Sequence, residues 1–194
     1  MQNTIFTVGH SSHSWEHFRS LIEAPDVGVV LDVRSNPRSR LPHFHKHELR
    51  YRLNAVGISY LHLGDQLGGR PTGGAADYET MAAMAPFRDG IAKVLEIAGR
   101  CRPTLMCAEH EPLECHRCLL VARHLVECHG AHVAHVLRDG PTKRRKKGCW
   151  QGGETVAIFS EPAMNVSPWR IVCRHASWEW ANEIRPFHTT LFKR

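Results

Sequence analysis

Along the chain, short apolar-rich runs alternate with longer stretches in which apolar residues recur every three or four positions. Residues 4–9 (TIFTVG), 27–33 (VGVVLDV), 58–63 (ISYLHL), 104–107 (TLMC) and 131–137 (AHVAHVL) have the first pattern. They read as strands, and the continuous run at 27–33 is the pattern of one covered on both faces. Residues 13–22, 46–55, 81–99 and 115–129 have the second pattern and predict helices. In the first of these, Trp15, Phe18, Leu21 and Ile22 share one face. Two glycine pairs and a proline in LGGRPTGGAADY predict a long loop between the third strand and the helix at 81–99. Strand and helix alternating in this way imply an α/β fold, a mostly parallel sheet with helices on both faces.

The pattern changes at Arg138. RDGPTKRRKKG is a basic connector, and the Trp-rich stretch beyond it shows no clear alternation. The expected organisation is an α/β domain over 1–137 and a C-terminal basic and aromatic appendage over 138–194, too short for a core of its own. The 194 residues suit one globular domain. A hydrophobic share of 42% with 23% charged residues excludes a disordered chain. No apolar run approaches the roughly 20 residues of a membrane span. The N-terminal MQNTIFTVGHSS lacks the features of a secretory signal, and seven cysteines fit reduced thiols, so a cytoplasmic protein is expected. The net charge of +6 permits a polyanionic partner without requiring one.

Ligands of parallel sheets bind beyond the carboxyl ends of the strands, so the residues that follow each strand carry the functional reading. Those after the first are Gly9, His10 and Ser11; after the second, Asp32, Arg34, Ser39 and Arg40. After the third come residues 64–70, and after the fourth Cys107 and Glu109, with Cys115, His116 and Arg117 opening the next helix. Asp32 and Glu109 are the expected catalytic carboxylates, with His10 handling a proton. Gly9, Ser11, Arg34, Ser39, Arg40, Cys107, Cys115, His116 and Arg117 are the expected substrate contacts. His116 and Arg117 sit where a helix N-terminus would favour an anion.

These segments, VGHSSHSWEHF, LDVRSNPRSR, GISYLHLGDQLGG and MCAEHEPLECHR, resemble the family of unknown function DUF488. The resemblance covers about residues 4–137, and its most specific element is Cys-x-Glu-x5-Cys-His-Arg. It implies an α/β domain whose matched loops form a site, and it assigns no activity.

Three functions compete. The leading expectation is an enzyme acting on nucleic acid, DNA rather than RNA. Lys143, Arg144, Arg145, Lys146, Lys147, Arg170 and Arg174, interleaved with tryptophans, would hold the phosphate backbone. With no phosphate-binding glycine loop and no cofactor or metal expected, the chemistry would be hydrolysis of the N-glycosidic bond of a flipped base, as in DNA repair. A lysine nucleophile, Lys46 or Lys143, is the variant of that scheme. The second possibility is a small-molecule enzyme using Cys107, against which Glu109, Glu111 and Glu114 count because they would oppose a thiolate. The third is a non-catalytic nucleic-acid-binding module with structural zinc. Cys107, His110, Cys115, His116 and Cys118 crowd together, but no second Cys-x2-Cys pair completes a four-ligand set. The sequence leaves the oligomeric state open.

Overall fold

The computed structural model describes residues 4–70, 77–137, and the backbone of 155–159 and 170–172. Five parallel strands form the body of the sheet: β1 (Ile5–Gly9), β2 (Val29–Asp32), β3 (Ser59–His62), β4 (Pro103–Cys107) and β5 (Val133–Val136). Their spatial order is β3-β2-β4-β1-β5, and β6 (Thr155–Phe159) and β7 (Arg170–Val172) extend the β5 edge with antiparallel backbone pairing. The fold is α/β.

Side chains of successive strand residues point to opposite faces, and each face has its own core. On one face, Val8, Val30 and Met106 pack with Phe18, Leu21, Ile22, Leu49 and Leu53 from α1 (Trp15–Glu23) and α2 (Lys46–Ala55). On the other, Ile5, Val29, Leu31, Leu105 and Cys107 pack against three further elements. These are α3 (Gly64–Leu67), α5 (Ala85–Ala98), which follows the short α4 (Tyr78–Ala83), and α6 (Arg123–His129). The central strands β2 and β4 are buried at every residue, whereas the edge strand β3 is half-exposed, with Ser59 and His62 in its segment.

Two expected helices differ in detail. The periodic stretch at 81–99 is two helices, because Pro86 at the start of α5 takes no part in an upstream helical hydrogen bond and Met84 is extended there (ψ 144°). The helix expected from Cys115 begins at Arg117 with a wide π-helical turn to Ala122 and only then becomes α6. Such turns concentrate at functional sites. Among the described residues, no helix is long and apolar enough to cross a membrane.

The connection leaving β1 runs into α1 on one face, while the connection leaving its neighbour β4 runs toward α6 on the other. Adjacent strands whose connections part in this way leave a crevice at their carboxyl ends.

Candidate functional site

Two groups of polar side chains occupy the carboxyl end of the sheet, one on each face. Asp32 is the hub of the first. It is in register with Met106, so both point toward α1 and α2. Asp32 is 0% exposed, and its carboxylate accepts from Arg34 Nε at 2.8 Å, Arg34 Nη2 at 2.6 Å and the Arg34 backbone N–H at 3.1 Å. Tyr60 donates its hydroxyl to the same carboxylate at 2.7 Å. Burial first, and then the Asp32 charge beside it, pushes that phenol far above the ordinary tyrosine range. Arg34 spends its remaining N–H groups on the Phe44 carbonyl (3.1 Å) and on His10 Nε2 (3.0 Å).

His10 therefore carries its proton on Nδ1, which donates to the Ser11 carbonyl at 2.9 Å, and its ring stacks on Phe44. Burial, followed by the Arg34 charge, lowers its pKa to about 4. These bonds tie the group together, and of its members only Arg34 also reaches the cleft described next. Asp32 and His10, expected as catalytic groups, are here the buried members of an ion-pair network, and neither lines that cleft.

On the opposite face lies an open cleft of about 300 Å³. Its floor is Cys107 from the end of β4 and Cys115 and His116 from the entry to the π turn; Glu109, Glu114, Tyr78, Arg38 and Arg70 complete much of the wall. Cys107 donates its S–H to Glu109 Oε2 at 2.9 Å, and Cys115 is 3.3 Å from the same oxygen. The Cys115 sulfur beside Cys107, together with burial, drives the Cys107 thiol far above its ordinary range. Donation from Cys107, assisted by His116 and Arg117, lowers Cys115 to about 5 against the burial that would raise it. Desolvation would raise Glu109, but the thiol donors outweigh it, so this exposed carboxylate is held below its usual range.

Backbone architecture fixes Glu109 in place. A Cβ on Gly9 would sit 1.9 Å from the Glu109 carbonyl oxygen, so only glycine lets the turn after β4 cross the end of β1. Arg117, 0% exposed, then grips that turn from below, donating to the Glu109 carbonyl at 2.5 Å and the His110 carbonyl at 2.8 Å. Gly69 plays a similar part for His116, since a Cβ there would meet the imidazole at 2.4 Å.

The expected contacts thus divide. Arg34, Cys107, Cys115 and His116 line the cleft along with Glu109; Gly9 and Arg117 shape it from behind. Ser11 donates its backbone N–H to the Ala108 carbonyl and does not line the cleft. Ser39 turns its hydroxyl to the Leu41 N–H, and neither it nor Arg40 or Lys46 reaches the wall. Lys143, Arg144, Arg145, Lys146, Lys147 and Arg174 lie outside the described residues; Arg170 is described only as backbone in β7. Ser35, Asn36 and Arg70 lie in the strand-end loops expected to converge on a pocket, though they were not named as contacts, and Tyr78 was not anticipated at all.

No curated protein and no solved structure matches the chain. Residues 14–124, more than half of it and including the whole Cys-x-Glu-x5-Cys-His-Arg element, match the family described as domain of unknown function DUF488, and the chain belongs to that family.

Proposed function

We propose that this protein is a hydrolytic enzyme that takes one nucleotide unit of a nucleic acid into the cleft beyond β4, with base excision from DNA as its reaction. The observation that carries this reading is the pairing, in one cleft, of the carboxylate of Glu109 with the exposed cations Arg38 and Arg70. Cations at the rim suit a phosphate on either side of the unit, and 300 Å³ suits a group the size of a base. Tyr78 offers a ring for it to lie against. The net charge of +6 favours the same polyanion.

In this scheme Glu109, not Asp32, is the carboxylate. Ionised and facing the cleft, it stabilises an oxocarbenium-like sugar or orients the attacking water as the base departs. Asp32 keeps the floor rigid from the other face of the sheet. A thiol-dependent small-molecule enzyme is the competing reading, favoured by the low pKa of Cys115. That thiol, however, is 1% exposed and poorly placed to attack a substrate, and Cys107 is held protonated.

The test is incubation with duplexes that each carry one modified base, followed by alkali to reveal abasic sites. A break on one duplex that falls at least about a hundredfold in Glu109→Gln, with binding retained, is the expected result. Salt-sensitive binding without a break on any duplex would replace the enzyme by a binding module. Inactivity toward nucleic acid together with iodoacetamide-sensitive turnover of a small ester would favour the thiol reading.

A further inference from the structure

We infer that Cys107, Cys115 and His116 form a binding site for a single zinc ion, with the fourth position open to the cleft and Glu109 beside it. The inference shares the cleft with the proposed function but does not need nucleic acid, and each can fail alone.

The ligand atoms of the three residues lie within 4.8 Å of one another. His116 Nδ1 is 3.7 Å from the Cys107 sulfur and 3.9 Å from the Cys115 sulfur. A tetrahedral zinc ion with sulfur at about 2.3 Å and nitrogen at about 2.0–2.1 Å separates sulfur from nitrogen by about 3.6 Å. The nitrogen is therefore within a few tenths of an ångström of its required separation from each sulfur, and all three atoms lie within reach of one ion.

The tautomer of His116 is also settled by its partner. Nε2 lies 2.9 Å from the Val33 carbonyl, which can only accept, so Nε2 carries the proton and Nδ1 presents its lone pair to the two sulfurs. Histidine ligands of metals are commonly fixed in this way, by a hydrogen bond from the far ring nitrogen. Gly69 packs on the ring and holds its plane.

The chemistry of the set points to zinc rather than to magnesium or calcium. Two thiolates and one imidazole are borderline-soft donors, whereas the harder ions take oxygen. Three protein ligands with a carboxylate alongside is the arrangement of zinc sites that act on bound water. When zinc binds, both sulfurs are held as thiolates and Glu109 loses the Cys107 S–H donor. Its oxygen is then free to accept a proton from water in the fourth position.

The search for zinc ligands by spacing alone favours Cys115-x2-Cys118, but Cys118 is core: it is 3% exposed and packs with the apolar residues beneath α5 and α6. The third ligand instead comes from the end of β4, eight positions upstream of Cys115.

The experiment is titration of the full chain, purified in a phosphine reductant and freed of metal, with cobalt(II) as the probe and zinc as competitor. Expected is one equivalent of cobalt with sulfur-to-metal charge transfer in the near ultraviolet and tetrahedral visible bands, displaced by one equivalent of zinc. Cys107→Ser or Cys115→Ser should roughly halve the charge-transfer intensity or abolish stoichiometric uptake; Cys101→Ser and Cys128→Ser should leave both intact. Glu109→Gln should retain one equivalent with two-thiolate absorption. The wild-type spectrum counts the thiolates directly, so a variant that fails to fold does not decide the matter.

Substoichiometric uptake by the wild-type chain, a spectrum without charge transfer, or uptake indifferent to both cysteine variants would overturn the site. Loss of uptake in Glu109→Gln would overturn the open fourth position. One equivalent of metal with no cleavage of any duplex leaves this inference standing and removes the proposed function; cleavage by a chain that takes up no metal does the reverse.

Discussion

The two faces of the sheet at its carboxyl end hold similar residue types and use them in opposite ways. On the α1–α2 face, Asp32, Arg34, Tyr60 and His10 spend their polar atoms on one another and on backbone carbonyls, with Asp32 0% and Arg34 4% exposed. On the other face, the buried Cys107 and Cys115 and the half-buried His116 line an open cleft, and Glu109 is exposed. Saturated hydrogen bonding makes a rigid support, and donors facing a space make a site. A polar residue at a strand end reveals nothing of its role until its face and its partners are known.

The sharpest way to break this comparison is to remove one carboxylate from each face. Asp32→Ala leaves the Arg34 guanidinium buried without its counter-charge, and breaking a buried pair from one side costs about 3–5 kcal/mol. In a chain of this size that lowers the melting temperature by about 10 °C. Glu109→Gln should leave melting within about 2 °C of the parent, because the side chain is exposed, while abolishing turnover. Thermal melts and cleavage assays on the same two preparations check both. Should Asp32→Ala melt like the parent, the network is not the support described here.

Much of the fold is legible in the sequence for a simple reason: the central strands β2 and β4 bury both faces, so VVLD and PTLMC stand out as apolar runs between amphipathic helices. The Cys-x-Glu-x5-Cys-His-Arg element also identifies one wall of the cleft, since those residues sit close together in the chain. The pairing of Asp32 with Glu109 fails because side chains alternate along a strand. Asp32 aligns with Met106, so it takes the face opposite to Cys107, one residue further on. That register is a relation between two strands about 70 residues apart, and neither strand contains it. Tyr78 was out of reach for a related reason, because only the packing of α4 and α5 over the sheet brings it to the cleft.

Acid offers a second probe, with one buried histidine on each face of the sheet. His10 lies at about 4, lowered by burial and then by Arg34. His135, 0% exposed on β5 and 2.6 Å from the Thr7 hydroxyl, lies at about 3, lowered by burial and then by Arg117. Both are neutral in the folded protein, whereas in the unfolded chain they gain protons below their ordinary 6.5. Their contribution to stability is thus complete above pH 6.5 and declines as the pH falls toward 4 and 3. By pH 4 the loss is about 3 kcal/mol for each. Denaturant melts between pH 7 and pH 4 should show that slope, and His135→Gln should flatten it. A slope unchanged in that variant would mean that His135 accepts a proton without unfolding the chain.

A modest effect on stability is expected from the change most specific to the His116 ring. In Gly69→Ala the new methyl group would fall 2.4 Å from Cγ of His116 and 2.8 Å from its Nδ1, so the imidazole must turn or the loop at 68–70 must lift. Because Gly69 is only partly buried, the loop can yield, and the cost should stay near 1 kcal/mol. The imidazole cannot yield without lengthening its 2.9 Å bond to the Val33 carbonyl, the contact that points Nδ1 at the sulfurs. Loosening such a supporting bond typically weakens metal binding by roughly 10–100-fold. Gly69→Ala should therefore melt within about 4 °C of the parent and bind cobalt more weakly, with turnover reduced in step. If instead melting falls as far as in Asp32→Ala while cobalt affinity holds, the loop is a structural brace and the two faces differ less than their hydrogen bonds indicate.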